Sequence, residues 1–183
     1  KQFTSVIEDD IKKANLQSKI AASVQKELND VLHPYENHLI KKFEKLTEMR
    51  FVDAISNALE LSMKKYDDLI IMGQDIAEYG GVFKVTDGFS KLFGKDRVRN
   101  TPICESSIIE TAMGLSICGR KSIVELQFSD FISSGFNPVV NYLAKTYYRW
   151  NEAINVTLRL PCGGGMGAGP FHSQSNEAWF TQV

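Results

Sequence analysis

The order of apolar and polar positions divides this chain near residue 48. Before that point Lys, Glu, Asp, Asn and Gln occur throughout and glycine is absent. Ile7, Ile11, Ala14, Ala21, Val24 and Leu28 recur at roughly helical spacing, which predicts a helix ending near Asn29-Asp30, ahead of His33-Pro34. Ser5-Val6-Ile7-Glu8 reads as a capping box at its start. Leu39, Ile40, Phe43 and Leu46 predict a second short amphipathic piece. Residues 1–48 thus read as a helical arm or linker. His33 and His38 have no cysteine or carboxylate pattern around them and read as solvated linker histidines rather than metal ligands.

From Arg50 onward the pattern alternates between helical and strand periods. Phe51–Lys65 is amphipathic at helical spacing. Leu69-Ile70-Ile71-Met72-Gly73 is a continuous apolar run, as expected of a strand buried on both faces. A loop over residues 74–85, a short helix over Phe89–Phe93 stopped by Gly94, and a brief strand around Val98 follow. Ser106–Ile117 reads as a buried helix closed by Gly119, Ser122–Gln127 as a strand, and Phe131–Trp150 as one long helix. Asn155–Leu160 reads as a strand, and a final helix is expected from about Asn176. Strands alternating with helices predict an α/β fold, a parallel sheet with helices on both faces, preceded by the helical arm. The expected domains are 1–48 and 49–183.

Composition narrows the function classes. Of 183 residues, 43% are hydrophobic and 23% charged, with a formal net charge of -1. That is a globular profile with no global field to attract nucleic acid or an anionic membrane. No apolar run reaches the ~20 residues needed to span a bilayer. Cys104, Cys118 and Cys162 are scattered, which points to reduced thiols in a cytoplasmic compartment. The chain starts at Lys1 rather than Met and stops soon after an aromatic-rich segment without a cap, so a piece of a longer polypeptide is expected.

Three places could carry chemistry. Glu105 follows Thr101-Pro102-Ile103-Cys104 at a strand-to-helix turn, the edge where open α/β sheets bind ligands. The helix dipole alone would favour an acid there. Burial between apolar segments, by contrast, would make it hold or share a proton and suit it to a heterocyclic ring nitrogen. Gln127 ends the next strand and could line the same pocket or simply bond backbone. The run Pro161–Gly169 is glycine-rich but fits neither the phosphate-loop nor the dinucleotide pattern. It reads as a flexible turn or as a mobile loop needing close backbone approach. His172 follows it and is either structural or a proton shuttle.

Ile71-Met72-Gly73-Gln74-Asp75, Tyr79–Val85, Gly94–Val98, Thr101–Glu105, Glu125–Phe131 and Phe171-His172-Ser173-Gln174-Ser175 occur here in an order found in one family. They resemble the beta subunit of the thiamin-diphosphate-dependent decarboxylase component of 2-oxo acid dehydrogenase complexes, over about residues 49–183. The glycine-rich segment and the Thr-Pro-Ile-Cys-Glu wording look most like the branched-chain type. Residues 1–48 look like an alpha-subunit tail in a fused chain. The resemblance implies a pyrimidine-binding domain, incomplete at its C-terminus, that shares thiamin diphosphate with an alpha-type domain carrying the diphosphate and Mg2+.

By the same resemblance, Glu105 bonds the aminopyrimidine ring nitrogen, Gln127, Phe131 and Ile103 line the cofactor site, and His172 transfers protons near the lipoyl channel. Phe131 falls where many relatives carry tyrosine, and Gln74 where many carry an acid. The implied partners are the alpha-type domain, a second copy in a dimer or heterotetramer-like assembly, and the lipoyl domain of the acyltransferase core. Without a Gly-Asp-Gly…Asn motif, no metal site is expected in this chain, and alone it is expected to be inactive. The alternatives are a pyruvate dehydrogenase-type beta subunit, a transketolase-like enzyme, and a non-catalytic assembly module.

Overall fold

In the computed structural model, which describes residues 2–36 and 45–183, the apolar run Leu69–Gly73 forms strand β1 inside a sheet. Its neighbours are β2 (Val98–Asn100), β3 (Lys121–Glu125) and β4 (Val156–Arg159). All pair in parallel in the order β2-β1-β3-β4, with Ile71 opposite both Val98 and Ile123 and Gly73 opposite both Asn100 and Glu125. A parallel sheet buries both faces, which is why β1 is apolar at consecutive positions.

Alternate side chains of β1 feed two cores. Leu69 and Ile71 pack with Leu59 and Met63 of α3 (Phe51–Lys65), Phe89 of α4 (Phe89–Phe93) and Val98. Met72, with Ile70 beside it, packs with Ile108, Ile109 and Ala112 of α5 (Glu105–Ile117), and with Val124, Leu126 and Ile132. Arg97 ties the α3–β1 corner. Its guanidinium donates to the carbonyls of Met63 (2.7 Å), Tyr66 (2.6 Å) and Leu69 (3.1 Å). From β1 the chain crosses to β2 on one side, and from β3 to β4 on the other. The crevice between the C-terminal ends of β1 and β3 is therefore the switch point of the topology.

Four expectations are corrected. The first helix is two, α1 (Gln2–Leu16) and α2 (Val24–Val31). The break ends at Ser23, which is extended and caps α2 by accepting from the Lys26 amide at 3.3 Å. Ser5 lies inside α1, so the capping-box reading fails. The long helix expected over 131–150 is segmented into a 3-10 turn at Ser129–Phe131, α6 (Ile132–Asn137), a π turn at Pro138–Leu143 and α7 (Thr146–Trp150). Pro138 has no N–H for the α ladder, and the wider spacing appears in Ala144 N–H donating to Val139 at 3.0 Å. The final helix is a single 3-10 turn, Glu177–Phe180. His33 is exposed as expected, but its ring meets Tyr147 edge-on at 5.1 Å, and Tyr148 donates to Glu27 at 3.1 Å. The amphipathic piece around 39–43 and His38 lie outside the described residues.

Where β1 meets β3, Gly73 leaves no space. A Cβ there would lie 2.4 Å from the Glu125 carbonyl oxygen and 3.2 Å from its carbon. Because the obstruction is backbone, it cannot move without parting the strands. Gly73→Ala is expected to cost about 1–3 kcal/mol, read as a lower midpoint in urea denaturation; an unchanged midpoint would mean that the strands part here without cost.

Candidate functional site

The C-terminal ends of all four strands open on one side, and the polar residues that follow them meet there. Glu105 opens α5, whose N-cap residue, Cys104, makes no side-chain bond to the helix amides. The acid therefore sits in a first turn whose free amides favour negative charge. One oxygen, Oε1, accepts from Gln74 Nε2 at 3.4 Å, and the other, Oε2, accepts from the Ser134 hydroxyl at 3.1 Å. Gln74 is buried, whereas Glu105 is only half-buried. The expectation of a buried acid is corrected to that extent, because Pro102 and Ile103 beside it are exposed, Ile103 at 82%.

Gln74 and Asp75 are adjacent but reach opposite ways. Gln74 bonds Glu105 beyond β2, while Asp75 Oδ2 accepts from Gln127 Nε2 at 3.3 Å beyond β3. Asp75 does this from a left-handed backbone conformation, φ 56°, which Asp tolerates better than most residues and which recurs at functional sites. Its carbonyl accepts from the Gly81 amide at 2.9 Å. Gln127 lies two residues past the end of β3 rather than inside a strand. The Thr101 hydroxyl, between β2 and Glu105, is buried without a hydrogen-bond partner among the described residues.

His172 stands in an aromatic corner. Its ring meets Phe128 at 4.9 Å and Phe131 at 5.4 Å, both edge-on, and Phe128 meets Phe83 at 5.9 Å. A hollow of about 210 Å3 adjoins it, lined by Phe83, Phe128, Met166 and residues Pro161–Gly164. Residues after the imidazole are pinned to the 3-10 turn following β3. Ser129 Oγ donates to the Gln174 carbonyl (2.9 Å), the Gln174 amide to Asp130 Oδ1 (3.3 Å), and Asn176 Nδ2 to the Ser129 carbonyl (3.0 Å). The glycine-rich stretch between Pro161 and His172 is exposed. Phe131 joins the two halves: its ring faces His172, and its carbonyl accepts from Ser134 at 2.8 Å.

Ser134 was not legible in the sequence, since nothing marks a serine inside an apolar helix as a partner for a residue 29 positions away. Glu125 and Arg159 were also missed, although an acid in the run Ile123-Val124-Glu125-Leu126 was a usable signal. A charge in a buried strand needs a partner. Glu125 Oε2 and Arg159 Nη1 lie 2.7 Å apart, both nearly out of solvent, in contact but off the hydrogen-bonding direction. Burial pushes the Glu125 carboxyl above its ordinary value, and the Arg159 charge opposes the shift.

Residues 47–183 match the family described as transketolase, pyrimidine binding domain. The chain belongs to that family. Within it, the chain is 39% identical over 140 residues to the 2-oxoisovalerate dehydrogenase subunit beta of Pseudomonas aeruginosa, covering 75% of this chain and 40% of that protein. It is 37% identical over 137 residues to the subunit of that name from Bacillus subtilis, covering 74% and 42%. A pyruvate dehydrogenase E1 component subunit beta of Staphylococcus epidermidis is 37% identical over 139 residues, covering 75% and 43%. The chain thus spans about two fifths of the length of these curated relatives. The matched residues include the sheet edge just described. Among the described residues no cluster of His, Cys, Asp or Glu could hold a metal ion, and no helix is long and apolar enough to cross a membrane.

The ion pair beneath this edge has a pH signature. With Arg159→Met, burial acts on Glu125 unopposed and its carboxyl rises further above the ordinary 4.5. The folded state then binds the proton more tightly than the unfolded chain, so stability falls as pH rises from 4.5 through the raised value. The expected loss is about 3–5 kcal/mol at pH 8 and clearly less at pH 5, by chemical denaturation at both. Equal losses at the two pH values would show that the ion pair is not the cause.

Proposed function

We propose that this chain supplies the aminopyrimidine-binding half of a thiamin-diphosphate-dependent 2-oxo acid dehydrogenase, of the branched-chain type. The observation that carries this reading is the pairing of Glu105 with Gln74 and Ser134 beside the switch-point crevice, with Gln127 across it. The donor set fits an aminopyrimidine. A carboxylate can bond a ring nitrogen, an amide can serve an exocyclic amino group or its neighbour, and the Phe131 ring offers a packing surface. The Thr101 hydroxyl, without a partner among the described residues, is a further polar group on this edge. The branched-chain assignment draws on the two 2-oxoisovalerate dehydrogenase relatives, with the pyruvate type as runner-up.

Thiamin diphosphate, when bound, supplies a carbon nucleophile and an electron sink for decarboxylation of the 2-oxo acid. The chain's part is to hold and to move protons. Glu105 shares a proton with the ring nitrogen at its carboxylate. Gln127 orients the same ring, and Asp75 fixes the Gln127 amide. Phe131 packs as an apolar wall. His172, held by Phe128 and Phe131 at the end of the exposed glycine-rich stretch, would hold or move a proton at its imidazole, or stabilise charge, on the side open to a lipoyl arm.

Diphosphate and Mg2+ belong in this reading to an alpha-type domain, so the acyl transfer takes place in an assembly with that domain and a second copy. Residues 1–48 are its linker, and the three free cysteines suit a reducing cytoplasm. The isolated chain is then silent. In titration calorimetry, thiamin diphosphate with Mg2+ is expected to bind the chain only when the alpha-type domain is present, and tight binding by the chain alone would sink this division of labour. In the assembly, Glu105→Gln is expected to lower decarboxylation about 100-fold or more, measured as carbon dioxide release; an undiminished rate would favour a purely structural role.

A further inference from the structure

Ser134 presents one hydroxyl to two acceptors. Its Oγ lies 3.1 Å from Glu105 Oε2 and 2.8 Å from the Phe131 carbonyl oxygen. A serine hydroxyl has one proton to give and lone pairs with which to accept. It can therefore point at either neighbour, and it can receive a bond while giving one. Gln74, on the other carboxylate oxygen, offers only N–H donors from its Nε2.

We propose that Ser134 is a positioning residue for Glu105 that satisfies the carboxyl group in both of its protonation states. The inference rests on the reading of Glu105 as the cofactor-facing acid. With Glu105 ionised, the serine O–H donates to Oε2, a charge-assisted bond stronger than one to a neutral carbonyl. When Oε2 gains a proton from a bound group, the new carboxylic O–H donates to Ser134 Oγ, and the serine proton turns to the Phe131 carbonyl. The bond from that proton to the bound group breaks as the O–H bond on Glu105 forms, and the reverse exchange follows when the proton returns. The serine O–H only rotates, so the hydroxyl loses and gains nothing. A carboxyl that cycles between two states on each turnover thus keeps a partner throughout.

The surrounding packing sets this geometry independently of the hydroxyl. Ser106 Oγ donates to the Ser134 carbonyl at 2.6 Å, tying α6 to the first turn of α5. At the next residue the two helices touch: a Cβ on Gly135 would lie 2.7 Å from Ile109 Cδ1 and 3.5 Å from the Glu105 carbonyl carbon. A side chain at 135 would have to displace the end of Ile109, so glycine there lets α6 and the first turns of α5 pack closely beside Ser134 and Glu105. Since backbone and glycine hold the helices together, removing the Ser134 hydroxyl leaves the fold in place.

The test uses the assembled enzyme with thiamin diphosphate and Mg2+, comparing parent, Ser134→Ala, Ser134→Thr and Glu105→Gln. The readouts are the cofactor Kd by calorimetry, deuterium exchange of the cofactor's acidic ring carbon by NMR after quenching, and the unfolding midpoint. Ser134→Ala is expected to slow exchange about 10-fold and weaken binding about 3- to 10-fold, with the midpoint unmoved. Ser134→Thr is expected to return both to within about twofold of the parent, because it keeps the hydroxyl. Parental exchange in Ser134→Ala alongside lost exchange in Glu105→Gln overturns the proposal and leaves the reading of Glu105 standing. So does a fall in midpoint that accounts for the loss, or a failure of threonine to restore. Parental exchange in Glu105→Gln overturns both.

Discussion

The contact between Gly73 and the Glu125 carbonyl sets the scale of this sheet edge. Two strand ends approach so closely that no side chain fits between them. Everything polar beyond that contact inherits its spacing. Gln74 and Asp75 leave β1 next to the point where Glu125 leads into Gln127, which brings the Asp75–Gln127 bond across the crevice. Were the strands farther apart, the same residues would face solvent separately. A parallel sheet gives such an edge for the cost of one glycine, because all strand ends point the same way and the switch in connection direction leaves the gap uncovered.

Beneath the edge, Glu125 and Arg159 perform a different task from Glu105. Both acids lie at the C-terminal side of the sheet, but one is nearly out of solvent against a single cation and the other is half-exposed between two neutral donors. A buried ion pair is weak support for stability and strong support for a fixed geometry, since losing one partner strands the other charge. Here it joins β3 to β4 at matching register, Glu125 opposite Arg159, and β4 leads directly into the glycine-rich stretch before His172. The pair therefore fixes where that stretch starts, while Ser129, Asp130 and Asn176 fix where it ends.

Much of this was legible from residue pattern alone. The apolar run at 69–73, the amphipathic helix at 51–65 and the glycine stops at 94 and 119 each follow from local chemistry, and the structure has them in place. Glu105 and His172 were visible as an acid at a strand-to-helix turn and a histidine after a glycine-rich loop. Less legible was anything fixed by a distant partner. Pro138 breaks a helical pattern through a missing N–H whose effect depends on the turn before it. Ser134 and the Glu125–Arg159 pair acquire meaning only when residues about 30 positions apart are brought together. Ile103 is a different case. Its place in the cofactor site comes from the family resemblance, and in this chain the side chain is exposed.

The exposure of Glu105 is itself informative about the site's completeness. A carboxylate in a first helical turn is well served by water and by the helix dipole, and needs no further partners to be content there. This one nonetheless has a hydroxyl on one oxygen and an amide on the other, and both come from segments remote in sequence. Two neutral donors add little while water remains, because each merely replaces a solvent bond. Their value grows when something covers the edge and excludes the water, since the local dielectric then falls and an unpartnered polar atom becomes costly. On the proposed reading, that cover is the cofactor and the alpha-type domain. The donors around Glu105 are then arranged for the assembled state rather than for the chain by itself, which is also the state in which a hydroxyl able to serve both forms of the acid has work to do.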